Sequence, residues 1–118
     1  MSSEEKKMEM KYFPAVEIND APQKGVKKVT LTYTGDSGKE EAIIFLAALP
    51  QGLTAFSSVC SHLGCIVDWD SQKEEFVCPC HGGRYDINGN VIGGPPPAPL
   101  DNLPIETRDG KIFVGIKV

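Results

Sequence analysis

Cys60-Ser61-His62-Leu63-Gly64-Cys65 and Cys78-Pro79-Cys80-His81 together hold every cysteine and both histidines of this 118-residue chain. Residues 66–77 separate the two boxes. With only two histidines available, chance does not readily place each within two residues of a cysteine in two separate boxes. Thiolate and imidazole are the donors that suit zinc and iron–sulfur centres. The clustering points to a metal centre built by two facing loops.

Six candidate donors are one pair too many for a four-coordinate site. Zinc takes four Cys or His ligands, usually as C-x(2–4)-C with a later His pair. Here the boxes read C-x-H-x-x-C and C-x-C-H, so one zinc would strand two donors. A [2Fe–2S] cluster with two His in place of two Cys on one iron also needs four ligands. It leaves one cysteine in each box, and those two can pair with each other. A structural zinc module stays open as the non-redox alternative.

The two boxes resemble those of the Rieske iron–sulfur proteins, in the disulfide-containing branch found in cytochrome bc-type quinol-oxidising complexes. The family pattern C-x-H-L-G-C…C-P-C-H-G is matched without a gap from Cys60 to Gly82. The resemblance implies that Cys60 and Cys78 are the thiolate ligands of a [2Fe–2S] cluster and His62 and His81 its imidazole ligands. It implies a disulfide between Cys65 and Cys80. The run Gly93-Gly94-Pro95-Pro96-Pro97 resembles the family's proline loop, which covers a third side of the cluster. Leu63 and Gly64, with Pro95 and Pro96, correspond to the quinol- or partner-facing surface. His81, and then His62, correspond to the group that accepts a hydrogen bond and a proton from quinol.

The charges explain why these ligands suit that task. Two ferric ions, two sulfides and two thiolates sum to zero, and reduction gives minus one. An all-cysteine cluster would run from minus two to minus three, which is harder to hold in a low dielectric. Neutral imidazoles therefore raise the potential into a range of about −150 to +300 mV. Many high-potential members of the family carry a serine after the second-box His-Gly, donating to a bridging sulfide. Here that position is Gly83, while Tyr85 matches the tyrosine that donates to a ligand sulfur. A missing donor predicts a lower potential, suited to menaquinol, and a higher one for Gly83→Ser.

Length and charge fit one small carrier domain. A chain of 118 residues makes a single modest core. A net charge of −4 lacks the basic patch that nucleic acid requires. No stretch approaches the ~18 apolar residues of a membrane span, and Met1-Ser-Ser-Glu-Glu-Lys-Lys7 has no apolar segment of a signal peptide. A disulfide belongs to an oxidising compartment. The resemblance thus implies the periplasm or the outer face of the cytoplasmic membrane, with an N-terminal membrane anchor missing from this chain. It also implies cytochrome b and a c-type cytochrome as partners.

The chain reads as all-β. Residues 27–34 alternate polar and apolar, Gly35-Asp-Ser-Gly38 turns the chain, and residues 42–47 form an apolar return strand. Residues 53–58 lead into the first box. Residues 66–69 and 75–77 pair across Ser71-Gln-Lys73, residues 85–87 and 90–92 flank Asn88-Gly89, and residues 104–108 and 111–117 flank Asp109-Gly110. No segment sustains a helical apolar period. The expectation is an antiparallel β-sandwich base, residues 8–57 and 101–118, with a cluster-binding subdomain inserted at about 58–100. Trp69 and Phe76 are read as core, and the first seven or so residues as disordered.

Three other functions fit parts of the pattern. The small Rieske subunit of an arsenite oxidase shares the disulfide-type boxes and would take electrons from a molybdenum subunit. A Rieske ferredoxin of an aromatic-ring oxygenase typically lacks the extra cysteine pair. The zinc module would be colourless and redox-inert.

Overall fold

The computed structural model describes residues 10–35, 38–59, 65–80, 82–96 and 98–117. Within these, eleven strands form three antiparallel sheets, and there is no α-helix. The segment expected to be disordered lies outside the described residues.

The middle layer is the sheet β2-β3-β4-β9, made of Gly25–Gly35, Gly38–Leu49, Gly52–Ser57 and Asn102–Leu103. Its central strand explains the continuous apolar run in the sequence, because both of its faces are covered. Ile44 and Leu46 point into one core with Val29, Leu31, Ala55, Val114 and Ile116. Phe45, Ala47 and Leu49 point into the other with Phe56, Phe76, Tyr85 and Leu100. The alternating β2 buries Val29 and Leu31 in the first core, while on its other face Val26 packs against the second core and Lys28, Thr30 and Thr32 are exposed.

The second sheet, β1-β11-β10, closes the first core and completes the sandwich. It comprises β1 (Met10–Glu17), β11 (Lys111–Lys117) and β10 (Ile105–Arg108). At the β10–β11 turn Asp109 and Gly110 take φ of 52° and 75°, the positive pair that a tight type I′ connection needs. The alternation does not reveal β1, because Pro14 interrupts it and the register slips between Pro14 and Val16. As an edge strand it tolerates a proline that donates no hydrogen bond.

The third sheet, β5-β6-β7-β8, spans Asp68–Asp70, Glu75–Cys78, Gly83–Tyr85 and Val91–Gly93. It is inserted between β4 and β9 and packs on the outer face of the middle sheet. Phe76 forms the joint. Its ring lies edge-on to Phe45 at 5.1 Å and to Phe56 at 5.8 Å, and 4.7 Å from Trp69. Phe76 is fully buried and Trp69 packs against the same core, as core residues should.

The connection around Asn88-Gly89 differs from a two-residue hairpin. Tyr85 pairs with Val91, so residues 86–90 all belong to the loop. Asp86 organises it: its carboxylate accepts from Asn88 N at 2.9 Å and Asn90 N at 3.0 Å. Gly89 sits at φ 82°, and a Cβ there would lie 2.7 Å from Phe56 Cε1. The glycine thus serves close packing on the base as well as the turn.

Candidate metal centre

The first box hangs from a closed neck. Ser57 N donates to Asp101 O at 2.9 Å, Val67 N donates to Ser58 O at 2.8 Å, and Val59 N donates to Ser57 Oγ at 3.1 Å. Val59 and Ile66 then pair antiparallel, so the chain leaving the middle sheet after β4 comes back beside its own exit before it enters β5. Ser58 is buried below this neck, whereas Val59 and Ile66 stand 48% and 47% exposed.

The second box lies at the β6–β7 hairpin. Cys78 ends β6 and pairs with Gly83, which starts β7. Gly82 N donates back to Cys78 O at 3.1 Å, and Gly82 takes φ of 75°. Cys78 is only 3% exposed and belongs to the core that contains Phe76 and Tyr85. Cys80 is exposed on the turn and forms a disulfide with Cys65, joining the two boxes. The sulfurs of Cys65, Cys78 and Cys80 lie within 4.8 Å of one another. Two of these are bonded together, so the group is no three-thiolate site; its meaning is that Cys78 Sγ lies beside the bridge.

Cys60, His62, Leu63, Gly64 and His81 lie outside the described residues, as does Pro97. The bridge nevertheless settles which cysteines remain. With Cys65 and Cys80 consumed, the donors left in the two boxes are two thiols and two imidazoles. That set fits a [2Fe–2S] cluster with mixed Cys and His ligation.

Gly83 and the proline segment are packed together. A Cβ on Gly83 would lie 2.6 Å from Pro96 Cγ and 3.0 Å from Pro96 Cδ. A Cβ on Gly94 would lie 2.6 Å from Gly83 Cα and 2.9 Å from Gly82 O. Pro95 is exposed, but Pro96 is buried, so its contribution is packing rather than surface. A serine at 83 would therefore meet a ring before it could offer a hydroxyl. Tyr85 is fully buried in the core it shares with Cys78. In the sequence the Gly83–Gly94 contact leaves one signal, the adjacent glycines 93 and 94.

Comparison with known proteins agrees with this geometry. The family model for the Rieske [2Fe-2S] domain matches residues 12–104. The chain is 48% identical over 64 residues to the cytochrome b6-f complex iron-sulfur subunit of Chlorobaculum tepidum, covering 54% of this chain and 35% of that one. It is 51% identical over 67 residues to the menaquinol:cytochrome c reductase iron-sulfur subunit of Geobacillus thermodenitrificans, covering 53% and 40%. The match thus spans well under half the length of these relatives. Among solved structures it resembles a chain of a hyperthermophilic respiratory complex III, with a TM-score of 0.59, 33% identity, and 84% and 72% of the two chains covered. The plasma-membrane Rieske protein of Synechocystis PCC 6803 aligns with a TM-score of 0.54 and 27% identity, over 72% of this chain and 84% of that one. The chain belongs to the Rieske [2Fe–2S] domain family, and that cluster is its cofactor.

Proposed function

We propose that this chain is the electron-transfer domain of a cytochrome bc-type complex, taking an electron and a proton from quinol and passing the electron to a c-type cytochrome. The observation that carries the reading is the Cys65–Cys80 bridge beside buried Cys78, which ties both boxes into one centre. Cys60 and Cys78 are the thiolate ligands, and His62 and His81 the imidazole ligands. When bound, the cluster supplies a one-electron carrier of low charge, neutral oxidised and minus one reduced. Buried Cys78 would hold it at the end of a strand fixed by the Phe76 joint. His81, with His62, presents a ring nitrogen to the quinol hydroxyl and takes its proton.

Docking falls to the apolar rim of the first box. Val59 and Ile66 are large side chains about half exposed at the neck, and Leu63 and Gly64 lie between them in the sequence. Such exposed apolar groups beside a redox centre mark a contact surface. Pro95 extends this surface from the proline segment. Residues of about 58–100 form the cluster-binding unit, carried by a base of residues 8–57 and 101–118.

Menaquinol is the favoured donor, since Gly83 offers no hydroxyl to the cluster. The relatives support a quinol-complex role over that of an arsenite oxidase small subunit, because one is a menaquinol:cytochrome c reductase subunit. Among the described residues no helix is long and apolar enough to cross a membrane. An N-terminal anchor to the outer face of the cytoplasmic membrane, together with cytochrome b and c-type partners, completes the proposal.

The test uses the chain loaded with iron and sulfide. Its reduced form is expected to give the electron paramagnetic resonance of a mixed Cys/His cluster, lost in Cys78→Ser. Rapid mixing with a menaquinol analogue should reduce it, and a c-type cytochrome should reoxidise it. A colourless protein with bound zinc would end the electron-transfer reading. A normal resonance with no reduction by quinol would end the quinol assignment.

A further inference from the structure

We infer that Gly83 is a positioning residue: it is bare so that Pro96 can be seated directly behind Cys78. The inference rests on the assignment of Cys78 as a cluster ligand. Gly83 does not take the left-handed backbone that would demand glycine, so only space explains its lack of a side chain. That space is filled. A Cβ would lie 2.6 and 3.0 Å from two carbons of the Pro96 ring and 3.6 Å from Cys78 Cβ. A pyrrolidine has no flexible end to swing aside, and this one is buried.

The contact is reciprocal. Gly94, at φ 84°, has no Cβ to separate its backbone from that of Gly83, and the same position faces Gly82 O. Two bare backbones therefore meet, and Pro96, two residues on, packs against the start of β7 at Gly83. Cys78 is the ladder partner of Gly83, and both Cys78 and Pro96 are buried, so moving the ring would open this side of the ligand's strand to water. The missing hydroxyl and the close lid are then one feature: a side chain at 83 and a seated Pro96 compete for one volume.

A hydroxyl donor alone would move only Gly83→Ser, whereas a displaced Pro96 moves Gly83→Ala and Gly83→Ser alike. Gly83→Ala adds a Cβ and no donor. It should push Pro96 off and admit water beside the ligands, which favours the more highly charged, reduced form. The potential should therefore rise in Gly83→Ala as well as in Gly83→Ser. The resonance of the reduced centre should shift in both. Loss of the cluster to a chelator should quicken about tenfold or more, as overpacking a filled site commonly does to an opening equilibrium. Removing the ring should relieve the conflict, so Gly83→Ala with Pro96→Ala should return toward the parent values.

The measurement is the midpoint potential, resonance and chelator-driven bleaching of the loaded parent, Gly83→Ala, Gly83→Ser and the double variant. Rescue in the double variant supports the seat, including where Gly83→Ala alone fails to hold a cluster. A Gly83→Ala protein with parental potential and bleaching, beside a raised potential in Gly83→Ser, overturns it. So does a double variant no better than Gly83→Ala. A parent chain without a mixed Cys/His resonance would instead refute the ligand assignment itself.

Discussion

Gly89 shows how much one residue can carry outside the centre. It needs a positive φ, and a Cβ there would stand 2.7 Å from the Phe56 ring. Gly89→Ala should lose about 1–3 kcal/mol by overpacking, and a further ~1 kcal/mol from the left-handed backbone. A urea titration would check it, with a loss under half a kcal/mol contradicting the contact. Glu75 makes a different kind of contribution. Arg84 donates to it through Nε at 2.9 Å and Nη2 at 3.2 Å. That hydrogen bond, above all, holds the Glu75 carboxyl below its ordinary 4.5, and its charge adds to the effect. Between the two values the unfolded chain binds more protons, so stability rises with pH there. The contribution is present above pH 4.5 and lost as pH falls through the lowered folded value. Because the pair faces solvent, its effect is small and screened by salt. Glu75→Gln should flatten the acid limb of stability in low salt, leaving neutral stability almost unchanged; unaltered acid limbs in both proteins would show that the pair contributes nothing.

At the scale of elements, the Phe76 joint decides whether the cluster-bearing sheet stays on its base. Phe76→Ala should cost about 3–5 kcal/mol, measured by thermal or urea unfolding, and should speed cluster loss as well. Asp86 fixes the neighbouring loop with two charge-assisted hydrogen bonds, and Asp86→Ala should cost about 1–3 kcal/mol. These two elements also show what sequence could and could not reveal. The hairpin of residues 25–49 was legible because alternation in β2 and a double-faced β3 have distinct signatures. The Asp109-Gly110 turn was legible because that dipeptide matches the backbone it adopts. Asn88-Gly89 suggested a tighter connection than exists, since Asp86 captures two amides and widens the loop. Strand β1 was hidden by Pro14, and β9 by its two-residue length. At the centre, the boxes stood out because cysteine and histidine are rare here. The seat of Pro96 on Gly83 was not legible, because it depends on a contact between segments that only the fold brings together.

For the molecule as a whole, the inserted sheet is expected to open more readily than the base, although the two share the core of Phe45, Phe56 and Phe76. The base has two sheets and its own core, closed by Val114 and Ile116 against Leu31 and Ile44. The insert has short strands and leans on one outer face of that base. Its two boxes are joined by Cys65–Cys80, a bridge across a sequence separation of 15. A loop of that size restricts the unfolded chain by about 3 kcal/mol in the chain-entropy view. That restriction acts on residues 65–80, which lie wholly within the insert. Cys65→Ala with Cys80→Ala should therefore lower stability unevenly. Amide hydrogen exchange should quicken in β5 to β8 by about a hundredfold, which is ~3 kcal/mol of opening free energy. The central amides of β2, β3 and β11 should remain near their parent rates, because the core beneath them is untouched. Uniformly faster exchange in all three sheets would mean that insert and base unfold as one unit, with the bridge holding the whole molecule rather than the centre alone.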